Sequence, residues 1–530
     1  MSEQKKVFVR DATGLVREMS GWRAFVLSLF CIAPALVLLW VEVGQGVFPG
    51  ANLYISTALA LPSSLIAGLI YVQFSTLFPR SGGDYVFIGR TLHPSLGFMS
   101  NFVISLIFLS AAGSFAVYIS TFGFGPMFGV LGALYGSQSY SSLASVFSVP
   151  LNQFIIGVVF VIVLNLFVFL GMRTTFIVKN LLFAITYIGI IAYIVVMATT
   201  SNATFVANFN SVSSISYSKI IATAQAAGAN VGYNWNDTLG AVVYMNLAVL
   251  GYTSSAYTGG EVRNPQKSQM IGIVGSLLFY MAFLFVTIAV SYTTMGHDFM
   301  ASIGYLAVNG NGNYTLPAPL PILTALAGYG TLSGSFETLL GIAIIATLFG
   351  CIIALTFAAS RMIFAWSFDA VIPTKFADVS ERFHTPHYAL ILMTVLEALF
   401  VYLTIYTPAS AYLTYNVTGQ FAILAIVGVS AVVFPYGRWK SLFESAPPIV
   451  RKKIAGVPVL VIMGVLAILD GVWVANATLS PQISGPFNPA YITMTFLFFV
   501  AGFLFYWLSY AIQKRRGLPI DQMHKDLPPE

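Results

Sequence analysis

Residues 24–47 read AFVLSLFCIAPALVLLWVEVGQGV, and residues 238–259 read TLGAVVYMNLAVLGYTSSAYTG. Each has the length, about 20 residues, that an apolar helix needs to cross the hydrocarbon of a bilayer, and each is interrupted near its middle. Pro34 has no N–H to offer the carbonyl of Phe30, and its ring clashes with that turn. Gly251-Tyr252-Thr253-Ser254-Ser255 places a glycine ahead of adjacent hydroxyls, which compete with the helix ladder for backbone partners. Lipid cannot satisfy a broken backbone, so a break is tolerated only where it lies against protein or lines a cavity. Ile32, Ala33, Pro34 and Ala35, together with Gly251, Tyr252, Thr253, Ser254 and Ser255, are therefore the candidate substrate-binding residues. The competing reading is a simple proline kink and a Ser/Thr-rich packing face.

The rest of the chain has the same character. Of its 530 residues, 58% are hydrophobic and 8% charged, against roughly 25% charged in soluble domains, so the bilayer is the solvent for most of it. Apolar windows predict twelve spans, near 24–47, 53–78, 95–123, 151–171, 176–199, 238–259, 269–294, 336–360, 386–406, 411–435, 455–475 and 489–511. The two interrupted spans are then the first and the sixth. That separation is the mark of a transporter built from two inverted five-helix repeats with its site at the midplane. The expected organisation is a tail at 1–23, repeats at 24–199 and 238–435, two further helices at 455–511 and a tail at 512–530.

The net charge of +6 reports topology and implies no nucleic-acid partner, because the basic residues are scattered singly between spans. With twelve spans, every lysine and arginine except Lys219 falls on one side, which the positive-inside rule makes cytoplasmic; both termini are then cytoplasmic. Asn202, Asn236, Asn313, Asn416 and Asn476 begin N-x-S/T triplets in or beside the opposite loops. The outer segments 201–237 and 296–335 are nearly uncharged and suit an ordered or partly glycosylated cap, too small for a catalytic ectodomain. The first span reads as a retained helix rather than a signal peptide. Cys31 and Cys351 both lie within apolar spans and offer neither a disulfide framework nor metal spacing.

Just past the sixth span, Gly259-Gly260-Glu261-Val262-Arg263-Asn264-Pro265 resembles the E-V-K-N-P segment of the amino acid/polyamine/organocation (APC) permease superfamily. Phe78-Pro79-Arg80-Ser81-Gly82-Gly83-Asp84-Tyr85 is similar to that family's P-x-S-G-G-x-Y loop. Arg361 with Asp369 and Pro373, and Thr385-Pro386, are similar to the stretch between its eighth and ninth helices. The resemblance implies an all-α, leucine-transporter-like (LeuT-like) 5+5 fold whose broken first and sixth helices cradle an amino acid. Free N–H groups of the first break would meet a carboxylate, and carbonyls of the sixth an ammonium. This chain has a proline where many relatives have a glycine-rich first break, and Thr253 where some carry an acid.

The remaining intramembrane polar groups are candidates for coupling. Glu42 would stand about 12 Å outward of Pro34, at 1.5 Å per residue, where it could line an outer vestibule. Glu397 is the deepest carboxylate, either a hydrogen-bonded structural acid or a proton-linked group. Glu337 and Asp470 are expected to be interfacial, and Lys179 to sit at the cytoplasmic entrance of the fifth span. A sodium ion would need an oxygen cage, for which Thr356, Ser360 and freed first-helix carbonyls are candidates. No histidine falls in the interior of a span, His387 standing only at the edge of the ninth, and paired acids are absent from the spans, so no enzyme and no cofactor are expected. No ring of like charges suggests a channel. The reading is a secondary permease of the cell membrane for an amino acid or related small amine or carboxylate, coupled to protons in preference to sodium. The alternative is an exchanger or substrate-sensing receptor on the same fold.

Overall fold

The computed structural model describes residues 14–312, 314–408, 417–478 and 488–520. Expectations placed on residues 1–13, on Asn313, on 409–416 (the start of the tenth predicted span, with Asn416) and on 521–530 lie outside the described residues.

The chain is almost wholly helical. Its first half holds α1 (Gly21–Ile32), α2 (Val37–Val47), α3 (Leu53–Leu77), α4 (Asp84–Thr91), α5 (Pro94–Tyr118), α6 (Pro150–Phe169) and α7 (Met172–Thr199). Its second half holds α8 (Trp235–Ala248), α9 (Ser276–Met295), α10 (His297–Val308), α11 (Gly334–Phe368), α12 (His387–Tyr406), α13 (Val417–Val433), α14 (Val459–Ala477) and α15 (Asn488–Arg515). Ten segments among the described residues are long and apolar enough to cross a bilayer, with α1 and α2 together forming one of them. Two predicted spans are shorter as helices: the tenth is the 17-residue α13, and the sixth is the 14-residue α8 followed by irregular turns. One strand pair departs from the all-helical expectation. Lys453–Ile454 and Val457–Pro458 form a small hairpin around Ala455 and Gly456, both at positive φ, as a tight two-residue hairpin turn requires.

Helix α11 is the axis of the molecule. It is apolar all round and buried along nearly its whole length, the pattern of a helix enclosed by others, and it packs against α1, α5, α6, α7 and α12. Helix α6 lies at the periphery. Gly157, Val161, Leu164, Asn165 and Val168 form a buried stripe at helical spacing, while Leu151, Ile155, Val159, Ile162 and Leu166 point outward, where only lipid suits them. The segments 202–212, 217–226, 297–308 and 323–331 are short helices that cover the end opposite the arginine-bearing loops, so the expected cap is ordered. The basic end carries Arg80, Arg263 and Arg438 on loops, Arg90 on α4 and Arg361 near the end of α11, and these segments touch one another.

Candidate functional site

Both sequence interruptions are real breaks, and they meet. Helix α1 stops at Ile32, and Ala33 turns left-handed at φ 64° and ψ 73°, which costs a non-glycine residue roughly 1–2 kcal/mol. Pro34–Leu36 then forms a single 3-10 turn before α2 begins at Val37. In the sixth segment α8 ends at Ala248, Gly251 sits at φ 101°, and the chain continues through 3-10 turns at Ser254–Tyr257 and Gly259–Glu261. The whole second half of that segment is therefore unwound, a larger departure from helix than one break. A Cβ on Gly251 would lie 2.4 Å from the carbonyl oxygen of Cys31, so the glycine is required by its neighbour as well as by its φ.

Two cavities of about 60 Å³ each flank this junction. One is lined by Cys31, Ile32, Ala33, Trp40, Phe108 and Gly251 among others; the second adds Tyr71, Asn246, Tyr252, Thr253 and Tyr257. Among the described residues no charged side chain lines either. Of the predicted binding residues, Ile32, Ala33, Gly251, Tyr252 and Thr253 border this space. Pro34 and Ala35 are buried within the break and border neither cavity. Ser254 and Ser255 do not line it: the Ser254 hydroxyl donates to Gly251 O at 2.6 Å, and Ser255 donates to Gln269 Oε1 at 2.6 Å while its N–H reaches Ser28 Oγ at 3.3 Å. These hydroxyls replace the missing helix ladder, the role that short polar side chains perform against backbone. Tyr252 is fixed by its hydroxyl on Ser64 O at 2.7 Å.

The coupling candidates fall apart in space. Glu397 accepts from Thr356 at 2.7 Å and from Asn165 at 2.6 Å, tying α12, α11 and α6 together. Thr356 is used there, and the Ser360 hydroxyl donates to Phe357 O and accepts from Arg361, so neither is arranged as a cation cage. Glu42 is fully buried beneath α10, against Gly304, and does not line an open vestibule. Neither of its carboxylate oxygens has a hydrogen-bond partner among the described residues. Glu337 is buried in the same condition, and Asp470 is held by Ser63 at 2.7 Å.

Lys179 lies elsewhere than expected. It is completely buried, with Nζ 5.7 Å from the centre of the Phe30 ring and 5.2 Å from that of Phe176, beside the first break, and it has no hydrogen-bond partner among the described residues. A signal was present: Met172, Thr175, Phe176, Lys179, Leu182, Thr186, Ile190, Tyr193 and Met197 form one buried stripe of α7 at helical spacing. Asn165 was also missed, and the 157–168 stripe of α6 contains it.

The family-like segments come together at the basic end. Glu261 receives Arg361 in a bidentate pair, Nε at 3.0 Å and a terminal nitrogen at 2.8 Å, with both side chains buried. Asp369 receives Arg90 at 2.8 Å and the Tyr85 hydroxyl at 2.8 Å. Gly82 and Gly83 both have positive φ; Gly82 N–H donates to Tyr257 O at 2.9 Å, and a Cβ on Gly83 would meet the Tyr257 ring at 2.5 Å. Asn264 turns left-handed at φ 45° so that Pro265 can open the next helix.

With this geometry in view, the comparisons with known proteins are informative. A family model described as amino acid permease matches residues 22–510. The chain belongs to the amino acid permease family, whose members are transporters rather than enzymes. It is similar to the branched-chain amino acid permease BcaP of Lactococcus lactis, 25% identical over 63% of this chain and 65% of that protein. It is similar also to the methylthioribose transporter of Bacillus subtilis, at 22% over 70% and 72% of the two chains. A third relative is the branched-chain amino acid permease BcaP of Bacillus subtilis, at 21% over 84% and 87%.

Proposed function

We propose that this protein is a secondary active transporter that carries a zwitterionic amino acid with an apolar side chain, or a similar small solute, by alternating access around the Ala33–Gly251 junction. The observation that carries the reading is that junction: two mid-segment breaks in contact, bordered by cavities that no charged side chain among the described residues lines. Broken helix ends supply N–H and C=O groups suited to a carboxylate and an ammonium, and Trp40, Ile107, Phe108, Phe115, Leu247 and Leu355 supply apolar contact. A cationic side chain finds no counter-charge there. Two of the three relatives are named for branched-chain amino acids and one for methylthioribose, in keeping with an apolar pocket. A cavity of about 60 Å³ has room for about two waters, so admitting a solute requires the helices around the breaks to part.

The helices are read as two inverted five-helix repeats, residues 24–199 and 238–435, with 455–511 added, in a cell membrane with both termini cytoplasmic. The one-sided distribution of the basic residues and the five-span separation of the breaks support this. Coupling is to protons. Glu397 has its hydrogen bonds satisfied, so it serves the scaffold, whereas Lys179 stands against Phe30 beside the first break with no carboxylate partner. The test is purified protein in liposomes given labelled amino acids under imposed pH or sodium gradients. Net uptake of large apolar amino acids driven by a pH gradient is expected. Counterflow without net uptake would convert the reading to an exchanger, binding without flux to a receptor, and absence of both would overturn it.

A further inference from the structure

Asp84, the residue after Gly83, is fully buried at the start of α4. Its carboxylate accepts Asn101 Nδ2 of α5 at 2.6 Å, and its other oxygen faces the hydroxyls of Tyr71 of α3 at 3.5 Å and Tyr257 at 3.4 Å. Tyr257 belongs to the unwound half of the sixth segment, and both tyrosines line the cavity that Gly251 and Thr253 border. The carboxylate thus sits one hydroxyl away from the space at the breaks. Among the described residues, the hydrogen-bond partners of Asp84 are all neutral. Arg90 of its own helix is engaged by Asp369, the residue that caps the end of α11 and also takes the Tyr85 hydroxyl. Trp366 of α11 donates to Asn101, and α13, packed on α4, has no titratable side chain within Val417–Val433.

We propose that Asp84 is a proton-binding site of the transport cycle, reached from the cavity through the Tyr71 and Tyr257 hydroxyls, whose charge state sets how firmly the unwound sixth segment is held. This rests on the transport reading above. Loading forms an O–H bond on the Asp84 carboxylate with a proton delivered from cavity water, and release breaks that bond and returns the proton to water. The charged form is an acceptor for both tyrosines. The neutral form loses acceptor capacity, which weakens the grip on Tyr257, whose carbonyl also takes Gly82 N–H. Burial pushes the Asp84 carboxyl up to about 7, against the lowering effect of its hydrogen bonds from Asn101, Tyr257 and Tyr71; both forms are then populated near neutral pH.

The test is Asp84→Asn in proteoliposomes. For one proton per solute, a gradient of about one pH unit supports about tenfold accumulation in the wild type, and the variant is expected to exchange labelled solute at equal pH while accumulating none. Tyr257→Phe removes a donor that favours the charged form, so the midpoint of its exchange-versus-pH profile should move upward. The proposal is overturned if Asp84→Asn accumulates solute like the wild type, or if Tyr257→Phe leaves the midpoint in place. Should Asp84→Asn fail to reach the membrane, the Tyr257→Phe profile decides alone. Wild-type exchange indifferent to a pH gradient would remove proton coupling and this site together while sparing transport; absence of any flux would instead remove the transport reading itself.

Discussion

The sixth segment passes through two regions built on opposite principles. Around Gly251 it presents backbone and neutral side chains to cavities that no charged side chain among the described residues lines. Ten residues later, at Glu261, it enters a cluster of fully buried ion pairs, Glu261 with Arg361 and Asp369 with Arg90. A buried ion pair is costly to desolvate and gains that cost back only when the geometry is complete, so the basic end is specific and closed. The centre instead holds its unwound backbone with neutral hydroxyls, Ser254 on Gly251 O and Tyr252 on Ser64 O. One end of the segment is thus fixed by charge and the other by neutral hydrogen bonds beside open space.

The largest expected effect tests the closed region. Arg361→Ala strands Glu261 in the interior and should destabilise the protein by about 3–5 kcal/mol, read as a lower melting temperature in detergent. Arg361→Met combined with Glu261→Gln should recover most of that loss, and equal losses in the single and double variants would show that the pair is not what holds this end. Gly251→Ala tests the open region. It places a methyl against Cys31 O at positive φ, an overpacking of about 1–3 kcal/mol, and should abolish uptake while membrane insertion persists. Transport at the wild-type rate would dissolve the contrast between the regions.

Thr356→Val withdraws one donor from Glu397 and should cost about 1–3 kcal/mol of stability with the pH dependence of uptake unchanged. A changed pH dependence would move Glu397 from the scaffold to the coupling machinery. The smallest effect concerns Asp84, whose folded pKa is raised from 3.8 to about 7. Its contribution is complete below the unfolded value and is lost as pH rises through the folded one. Between pH 6 and 8 that amounts to about 1.4 kcal/mol of lost stability, and Asp84→Asn should flatten the melting temperature over that range.

Much of this was legible locally. Pro34 and Gly251 declare their breaks through chemistry that acts within one helical turn, and apolar windows mark spans such as 53–78 and 386–406 close to the helix ends, though the helix of the sixth span stops at Ala248 and that of the eighth runs on to Phe368. The motif residues Glu261, Arg361 and Asp369 were identifiable, yet the partner Arg90 was not, because nothing near Asp369 in the chain names it. Ser254 and Ser255, expected in the binding site, turn out to hold the unwound backbone together. Whether a hydroxyl faces a ligand or its own main chain depends on a rotamer and on what lies across from it.

The chain alone determined that the protein lives in lipid, roughly where it crosses, and where its helices must fail, since each follows from the length and hydrogen-bonding capacity of a single segment. Tertiary structure alone decided which break meets which, that α6, α11 and α12 share Glu397, and that Lys179 turns inward to Phe30. A membrane helix is apolar toward lipid and toward its neighbours alike, so composition carries little record of which way a side chain points; only packing assigns the direction.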